Sequence, residues 1–113
     1  MSESKEKKEK KEEKYQRGKI YKITCMKTRE IYIGSTIEKV LTTRLSKEYH
    51  DRKRKSSVLC QMMNKYGKDS FKIELVKDFP CSTRKELRRE EQKMIQKYKP
   101  QINQMKSFVD HDK

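Results

Sequence analysis

Two short stretches of β-branched and aromatic residues lie near the start of the chain. Residues 18–23 and 31–35 are rich in isoleucine and tyrosine, which are typical of β-strands. The segment 25–29 between them has the length of a turn. The pattern therefore predicts an antiparallel hairpin.

Two tyrosines of this hairpin are predicted to share one face of the sheet. If the hairpin closes symmetrically, Tyr21 lies opposite Tyr32 with both hydroxyls outward, while Ile31 and Ile33 take the other face. From the residues alone, the simplest interpretation is an aromatic pair that only packs, which contributes under about 1 kcal/mol. A chemical role for the two hydroxyls is the alternative.

Apolar residues further along recur every three or four positions, which predicts helices. A first helix is expected over residues 38–53, with residues 35–36 offering its N-cap. A second helix is expected after a serine cap at residue 56 or 57, and Gly67 suits the left-handed position that ends it. The apolar stripes of these helices are Leu41, Leu45 and Tyr49, followed by Leu59, Met62, Met63 and Tyr66.

A third strand and a last helix complete the predicted fold. Residues 71–78 alternate between apolar and polar side chains, as in a half-buried strand. Thr83 and Glu86 have the spacing of a capping box, and Pro100 prevents the helix that they open from continuing far beyond residue 98. The order β-β-α-α-β-α predicts an α/β protein of the α+β type, with a small three-stranded antiparallel sheet flanked by helices.

The positive charge of the chain is concentrated in its structured part. The 113 residues suffice for one domain, and 31 Lys and Arg against 17 Asp and Glu give a formal net charge of +14. Residues 1–14 contain six lysines and five glutamates and are expected to form a disordered tail. Residues 104–113 carry no net charge and are expected to form a second tail. The domain 15–103 therefore holds about +13, which predicts a polyanionic partner.

The cysteines and the hydropathy argue against several classes of protein. Cys25, Cys60 and Cys81 are odd in number and have no C-x-x-C spacing, so neither a disulfide framework nor a zinc site is expected. A reduced, intracellular setting is the simplest interpretation, and the sequence leaves the compartment open. No apolar run approaches membrane-spanning length and the N-terminus has no signal-peptide core, so no membrane partner is expected.

The hairpin residues resemble a known catalytic motif. Ile-Tyr at 20–21 followed by Tyr-Ile-Gly-Ser at 32–35 resembles the paired signature of the GIY-YIG nuclease family. The first glycine of the family would fall at Lys19, whereas Gly18 stands one position earlier. The resemblance extends over about residues 18–103. It implies a small nuclease domain that binds DNA, mostly through phosphates, and hydrolyses its phosphodiester bonds.

Glu91 is the most informative single residue. It lies on the apolar stripe of the last helix, four residues from both Leu87 and Ile95. Burying a carboxylate there is costly unless an arginine pairs with it, a metal binds it, or the stripe opens into a cleft. The resemblance implies that Glu91 holds a single divalent cation, Mg²⁺ or Mn²⁺. The adjacent Glu90 points about 100° away around the helix and is predicted to be a surface residue.

Arg44 lies one helical step from the stripe of the first helix. Its position alone suggests a surface arginine whose stem covers the edge of the core. The resemblance implies instead the essential arginine of the family, which stabilises charge on the phosphate. Glu48, four residues later, stands where many members have a histidine. His50 lies about 240° around the helix from Arg44, so it is not predicted to replace that histidine.

The remaining site residues are assigned by the resemblance. Tyr21 is expected to orient or deprotonate the attacking water, and Tyr32 to position the phosphate. Free tyrosine titrates near pH ~10, so positive neighbours such as Lys22, Arg44 or the metal would have to favour ionisation. The implied products are 5′-phosphate and 3′-hydroxyl ends. The residues expected to organise the site are Gly34 and Asn103, and those expected to contact DNA are Lys19, Lys22 and His50.

Two other functions remain open at this point. A basic nucleic-acid-binding module would keep the same fold without catalysis, and the departures at Lys19 and Glu48 favour it. The joint presence of the tyrosines, the arginine, the glutamate and the asparagine argues against it. An RNA- or ribosome-associated protein is the third interpretation, which the lack of aromatic stacking motifs disfavours. A targeting partner and the oligomeric state are not predicted.

Overall fold

The computed structural model describes residues 13–50 and 57–105, and its strands and helices follow the predicted order. One-turn 3₁₀ helices at Tyr15–Arg17 and Lys68–Ser70 precede the first and third strands. None of the helices in these ranges is long and apolar enough to cross a membrane. In chain order the elements are β1 (Lys19–Cys25), β2 (Ile31–Thr36), α1 (Leu41–His50), α2 (Val58–Tyr66), β3 (Phe71–Asp78), α3 (Arg84–Tyr98) and α4 (Gln101–Gln104).

The predicted α+β fold is confirmed, and α4 is a short helix that the pattern did not indicate. Most of both predicted tails and the end of the first predicted helix lie outside the described residues.

The strands form one antiparallel sheet in the order β2-β1-β3. Tyr21 lies opposite Gly34, and Tyr32 lies opposite Ile23, so the predicted pairing of the two tyrosines is wrong. The register differs by two residues from the symmetric hairpin. Side chains alternate with a period of two, so this shift leaves each of them on its predicted face. The two tyrosine rings therefore still share a face, with centroids 6.4 Å apart.

Gly34 explains why Tyr21 occupies this register. A Cβ atom at Gly34 would lie 2.5 Å from the hydroxyl oxygen of Tyr21, which is closer than non-bonded atoms approach. Only glycine leaves room for the ring that lies across from it. The ring fills that space and becomes buried, since Tyr21 is only 2% exposed, and the prediction that its hydroxyl points outward is wrong.

Each face of the sheet packs against its own helices. The face that carries Tyr21 is covered by α1, α2 and α4, and the opposite face is covered by α3. Apolar side chains of both faces are buried, which provides most of the stability of a domain of this size. The first core contains Tyr21, Ile23, Cys25, Leu45, Val58, Leu59, Met62, Met63, Phe71 and Ile102, and the second contains Ile20, Ile33, Cys81 and Leu87.

The ends of the helices differ from the predictions in two places. The first helix begins at Leu41 rather than residue 38, because Thr36 still belongs to β2 and its hydroxyl accepts a backbone hydrogen bond in the following loop. Ser57 and Thr83 cap α2 and α3, as predicted. Gly67 has the predicted positive φ of 84°, but its ψ of 158° is extended rather than left-handed helical.

Candidate active site

A pocket of about 630 Å³ lies along the outer edge of β2. No other described strand pairs with that edge, so side chains from both faces of the sheet reach the same space around it. The four residues predicted to be catalytic all line this pocket. The side named here the α1 wall carries Tyr21, Tyr32, Arg44 and Glu48, and the side named the α3 wall carries Ser35, Arg84, Arg88 and Glu91.

The two tyrosines of the α1 wall are neutral at neutral pH. Burial, with a contribution from the carboxylate of Glu48, raises the pKa of Tyr32 to about 12. The pKa of Tyr21 is also raised, mainly by burial, and the positive charge of Arg44 only partly offsets this. Both hydroxyls can therefore donate and accept hydrogen bonds, but neither is ionised in the free protein.

Arg44 and Glu48 form an ion pair across one turn of α1. Glu48 is only 6% exposed, so the arginine stabilises a carboxylate that water cannot solvate well. The thiol of Cys60 lies 3.9 Å from the other oxygen of this carboxylate. The Nε of Arg44 is buried and has no hydrogen-bond partner within the described residues. Glu48 thus occupies the wall of the pocket and holds the guanidinium there.

Glu91 faces the pocket from α3 as a half-buried carboxylate. The hydroxyl of Ser35 donates a hydrogen bond to Oε1 of Glu91, which connects α3 to the edge strand. No basic side chain in residues 13–50 and 57–105 forms an ion pair with Glu91. The sequence left three environments open for a carboxylate in the apolar stripe: an arginine pair, a metal or a cleft. The arginine pair is not found among the described residues, and the carboxylate faces an open cleft.

The neighbouring Glu90 is not the surface residue that was predicted. It is 7% exposed, and its carboxylate lies 2.7 Å from Nζ of Lys77 and 4.0 Å from Nζ of Lys93. Glu90 follows Leu87 by three residues and therefore shares the face of α3 that packs on the sheet. Lys77 on β3 neutralises its charge there. Of the two adjacent glutamates, Glu90 is buried and paired with Lys77, whereas Glu91 faces the pocket.

Asn103 binds the free edge of β2 with both ends of its side-chain amide. Its Oδ1 accepts a hydrogen bond from the Ile33 nitrogen at 2.8 Å, and its Nδ2 donates to the Ile33 oxygen at 2.9 Å. Gln101 accepts a third bond, from the nitrogen of Ile31 at 3.1 Å. These contacts satisfy backbone groups that an edge strand would otherwise expose. They hold β2, and with it Gly34, in a fixed position beside the pocket.

The three basic residues predicted to contact DNA lie outside the pocket lining. Lys19 donates to two backbone carbonyls, each at 3.1 Å. Lys22 lies on the opposite face of the sheet from Tyr21 and 3.9 Å from a carboxylate oxygen of Glu74, so it does not assist ionisation of that tyrosine as was expected. His50 is exposed at the end of α1.

Sequence reasoning treated Glu48 only as a departure from the family and did not single out Arg84 or Arg88. Spacing contained a signal for each of them. Glu48 follows Arg44 by four residues, which is the separation of a helical ion pair. Arg84, Arg88 and Glu91 recur at three and four residues and therefore share one side of a helix.

The donor set of the pocket fits a divalent cation held by a single carboxylate. No cluster of three or more His, Cys, Asp or Glu within the described ranges could hold a metal ion. Mg²⁺ commonly binds one or two carboxylates and takes its other ligands from water and substrate phosphate. Glu91, which faces open space without an ionic partner in the described residues, suits Mg²⁺ or Mn²⁺ better than zinc, which takes three or four protein ligands.

Two solved structures share the fold of this chain. A mutant of the catalytic domain of intron endonuclease I-TevI matches with a TM-score of 0.58 at 20% identity, over 76% of this chain and 84% of that one. The catalytic domain of homing endonuclease I-TevI matches with a TM-score of 0.57 at 19% identity, over 82% of this chain and 99% of that one. At these identities the likeness concerns the fold alone.

Sequence comparison identifies the family. A search of curated proteins finds no match. A family model described as the GIY-YIG catalytic domain matches residues 17–106, which include all three strands and the helices α1 to α4. The chain therefore belongs to the GIY-YIG nuclease family.

Proposed function

We propose that this protein is a metal-dependent DNA endonuclease that hydrolyses phosphodiester bonds. The observation that carries the proposal is the convergence of Tyr21, Tyr32, Arg44 and Glu91 on one pocket, although β1, β2, α1 and α3 each supply one of them. Family membership supports a nuclease, and both structural relatives are named as catalytic domains of an endonuclease.

Glu91 would hold one Mg²⁺ or Mn²⁺ ion. When bound, such a cation polarises the phosphate and offsets the negative charge that develops during hydrolysis. Ser35 contributes by fixing the orientation of the carboxylate through its hydrogen bond. The protein holds this anion in the pocket without a basic partner in the described residues, so a cation is the missing countercharge.

Arg44 would stabilise charge on the phosphoryl oxygens. A guanidinium offers donors in a fixed, planar arrangement that matches phosphate oxygens, and fixed donors near developing charge accelerate a reaction most. Glu48 holds this guanidinium in the wall of the pocket before the substrate arrives. Glu48 is therefore a positioning residue in this proposal.

Tyr21 would orient the attacking water as a neutral hydroxyl. Of the two roles expected from the sequence, the raised pKa of Tyr21 favours orientation over deprotonation in the free protein. Tyr32, beside it on the same face, would donate a hydrogen bond to the phosphate. We propose 5′-phosphate and 3′-hydroxyl ends as the products, by analogy with the family.

A second function, binding of nucleic acid without cleavage, has one observation in its favour. Arg44 is already paired with Glu48, so less of its charge is available to a phosphate than the family role requires. Under this function Arg44 would be a structural residue of α1, and the domain would bind DNA by its net positive charge alone.

Cleavage of supercoiled plasmid DNA separates the two functions. The wild type with Mg²⁺ is expected to produce nicked and linear DNA, and the same protein in EDTA is expected to produce neither. Ligation and phosphatase treatment of the ends test the proposed products. Binding of the plasmid without any cleavage, over a range of Mg²⁺ and Mn²⁺ concentrations, would instead establish the non-catalytic module.

A further inference from the structure

We propose that Arg84 and Arg88 bind backbone phosphates of the DNA strand next to the bond that is cleaved. This inference rests on the proposed function and names the part of the chain that holds the substrate. Both arginines line the pocket, and both lie on α3, the helix that also presents Glu91. They are exposed and stand four residues apart, so their side chains project from the same side of the helix.

The charges of the pocket explain why this pair is needed. Its lining contains three arginines and three glutamates, which sum to zero although the whole chain carries +14. Arg44 is paired with Glu48, and Glu38 is paired with Lys47, a residue outside the lining. In the described residues no carboxylate forms an ion pair with Arg84 or Arg88. These two side chains are the lining cations that remain available for a phosphate.

The arrangement of the pair suits a nucleic-acid backbone. Arginines four residues apart are separated by about 6 Å along a helix, and phosphates of one DNA strand recur about every 3.4 Å along the duplex axis. The two guanidiniums can therefore contact separate phosphates, each with a pair of parallel hydrogen bonds. Arg84 is also the first residue of α3, where the helix dipole disfavours a cation, so helix stability does not account for it.

The same helix offers a matched control. Lys85 and Arg89 are also exposed, also four residues apart, and each follows one member of the proposed pair by a single residue. Neither lines the pocket. Replacing them removes the same charge from the same helix, but from positions that do not line the pocket. Any effect of net charge alone is therefore common to both double variants.

The experiment compares Arg84→Gln/Arg88→Gln with Lys85→Gln/Arg89→Gln. Binding of a 30-base-pair duplex is measured in EDTA over a range of salt concentrations, with thermal melts as the check on folding. The wild-type slope of log affinity against log salt is expected to be about −5. Each lost phosphate contact makes this slope shallower by about 0.9. The pocket variant is expected to lose about 2 of that slope, and the control less than about 1. Equal losses in both variants, or none in either, would overturn the proposal.

Cleavage of the duplex provides a second and separate measurement. With Mg²⁺, kcat/KM of the pocket variant is expected to fall at least about tenfold further than that of the control, mainly through KM. If the wild type binds DNA but cuts nothing, the proposed function fails while the salt slopes still decide the role of the pair. Binding of a duplex RNA of the same sequence is measured in parallel. If the pocket variant loses affinity only for this RNA and not for the DNA, the assignment to DNA is overturned.

Discussion

The two walls of the pocket differ in whether their charged side chains are paired within the described residues. On the α1 wall, the carboxylate of Glu48 is buried and paired with Arg44, and the two tyrosines are neutral. On the α3 wall, Glu91 and Arg88 face the pocket without an ionic partner in the described residues. A charge that is paired inside the protein compensates its buried partner, whereas one without a countercharge is available to a ligand.

This difference predicts how each wall responds to mutation. Removing one partner of a buried pair weakens the compensation of the other charge, so breaking the pair in the α1 wall should lower both stability and activity. Removing an unpaired charge at the surface of a cleft leaves nothing uncompensated. Changes in the α3 wall should therefore lower activity or binding while stability is retained.

The largest expected effect is that of Glu91→Gln on the α3 wall. Cleavage should fall by at least about 10³-fold, because the only carboxylate assigned to the metal is lost. The melting temperature without metal should hold or rise, since an anion without an ionic partner is replaced by a neutral amide. Mg²⁺ should raise the melting temperature of the wild type by mass action and leave the variant unchanged. A variant that melts far below the wild type yet still cuts DNA in the cold would refute the metal-ligand role.

Glu90→Gln is the matched control for that variant. It removes the same charge from the adjacent residue, which is buried and paired with Lys77. Stability is expected to fall by about 1 kcal/mol or less, because Lys77 is itself partly exposed. Cleavage is expected to stay within about threefold of the wild type, measured under the same conditions, since no role at the pocket is assigned to Glu90.

On the α1 wall, Arg44→Leu is expected to lower cleavage by about 10²–10³-fold, as loss of a preorganised donor does elsewhere. It should also destabilise the fold by about 1–3 kcal/mol, because it removes the ion pair that Arg44 forms with a buried carboxylate. The 24% exposure of Arg44 keeps the loss below the full penalty of breaking a buried pair. Both quantities can be measured in one preparation, by plasmid cleavage and by urea unfolding.

The double variant Arg44→Leu/Glu48→Leu separates these two effects. Replacing both members of a buried pair by apolar residues is often neutral for stability, so the double variant should recover most of the stability that the single one loses. Cleavage should stay at the level of the single variant. Recovery of cleavage along with stability would mean that Arg44 acts only by keeping α1 folded.

Gly34→Ala is expected to have a smaller effect, because it displaces Tyr21 of the α1 wall. The added methyl group would lie 2.5 Å from the Tyr21 hydroxyl oxygen, and the buried ring has little room to move away. Cleavage should fall by roughly tenfold or more, and stability by about 1–3 kcal/mol, which is typical of overpacking. Gly67→Ala is the control: it lies outside the pocket lining, an added Cβ atom meets no atom within 4 Å, and its φ of 84° strains the backbone, so it shows what a loss of stability alone does to cleavage. Unchanged cleavage by Gly34→Ala would show that the position of Tyr21 is not critical.

Periodicity predicted most of the fold, because apolar spacing reports directly on burial. It placed the three strands and three of the helices, and it identified Glu91 as a carboxylate in an apolar stripe. It failed where a contact from elsewhere in the chain decides the outcome. The hairpin register depends on the space that Gly34 leaves for Tyr21, and neither residue specifies that space alone.

The two adjacent glutamates illustrate the same limit at the site. Helical geometry separates Glu90 from Glu91 by about 100°, but it does not tell which of the two directions faces the sheet. The lysine that neutralises Glu90 lies on β3, 13 residues earlier in the sequence, and its position is a property of the folded protein. Spacing within one helix could find the Arg44 and Glu48 pair, whereas pairing between elements could not be predicted.

The smallest expected effect concerns the neutral tyrosines of the α1 wall and is seen only at high pH. Because the pKa of Tyr32 is raised to about 12, its contribution to stability is complete below pH ~10, where the unfolded phenol titrates, and is lost as the pH rises towards 12. The free energy of unfolding of the wild type should therefore fall more steeply between pH ~10 and ~12 than that of Tyr32→Phe. Lysine titration in this range is common to both proteins and cancels in the difference. Urea unfolding at a series of pH values measures it, and Tyr98→Phe, at an exposed ring, controls for the loss of a hydroxyl. Parallel curves for the wild type and Tyr32→Phe would mean that this hydroxyl is well solvated, and the contrast between the two walls would then not extend to the tyrosines.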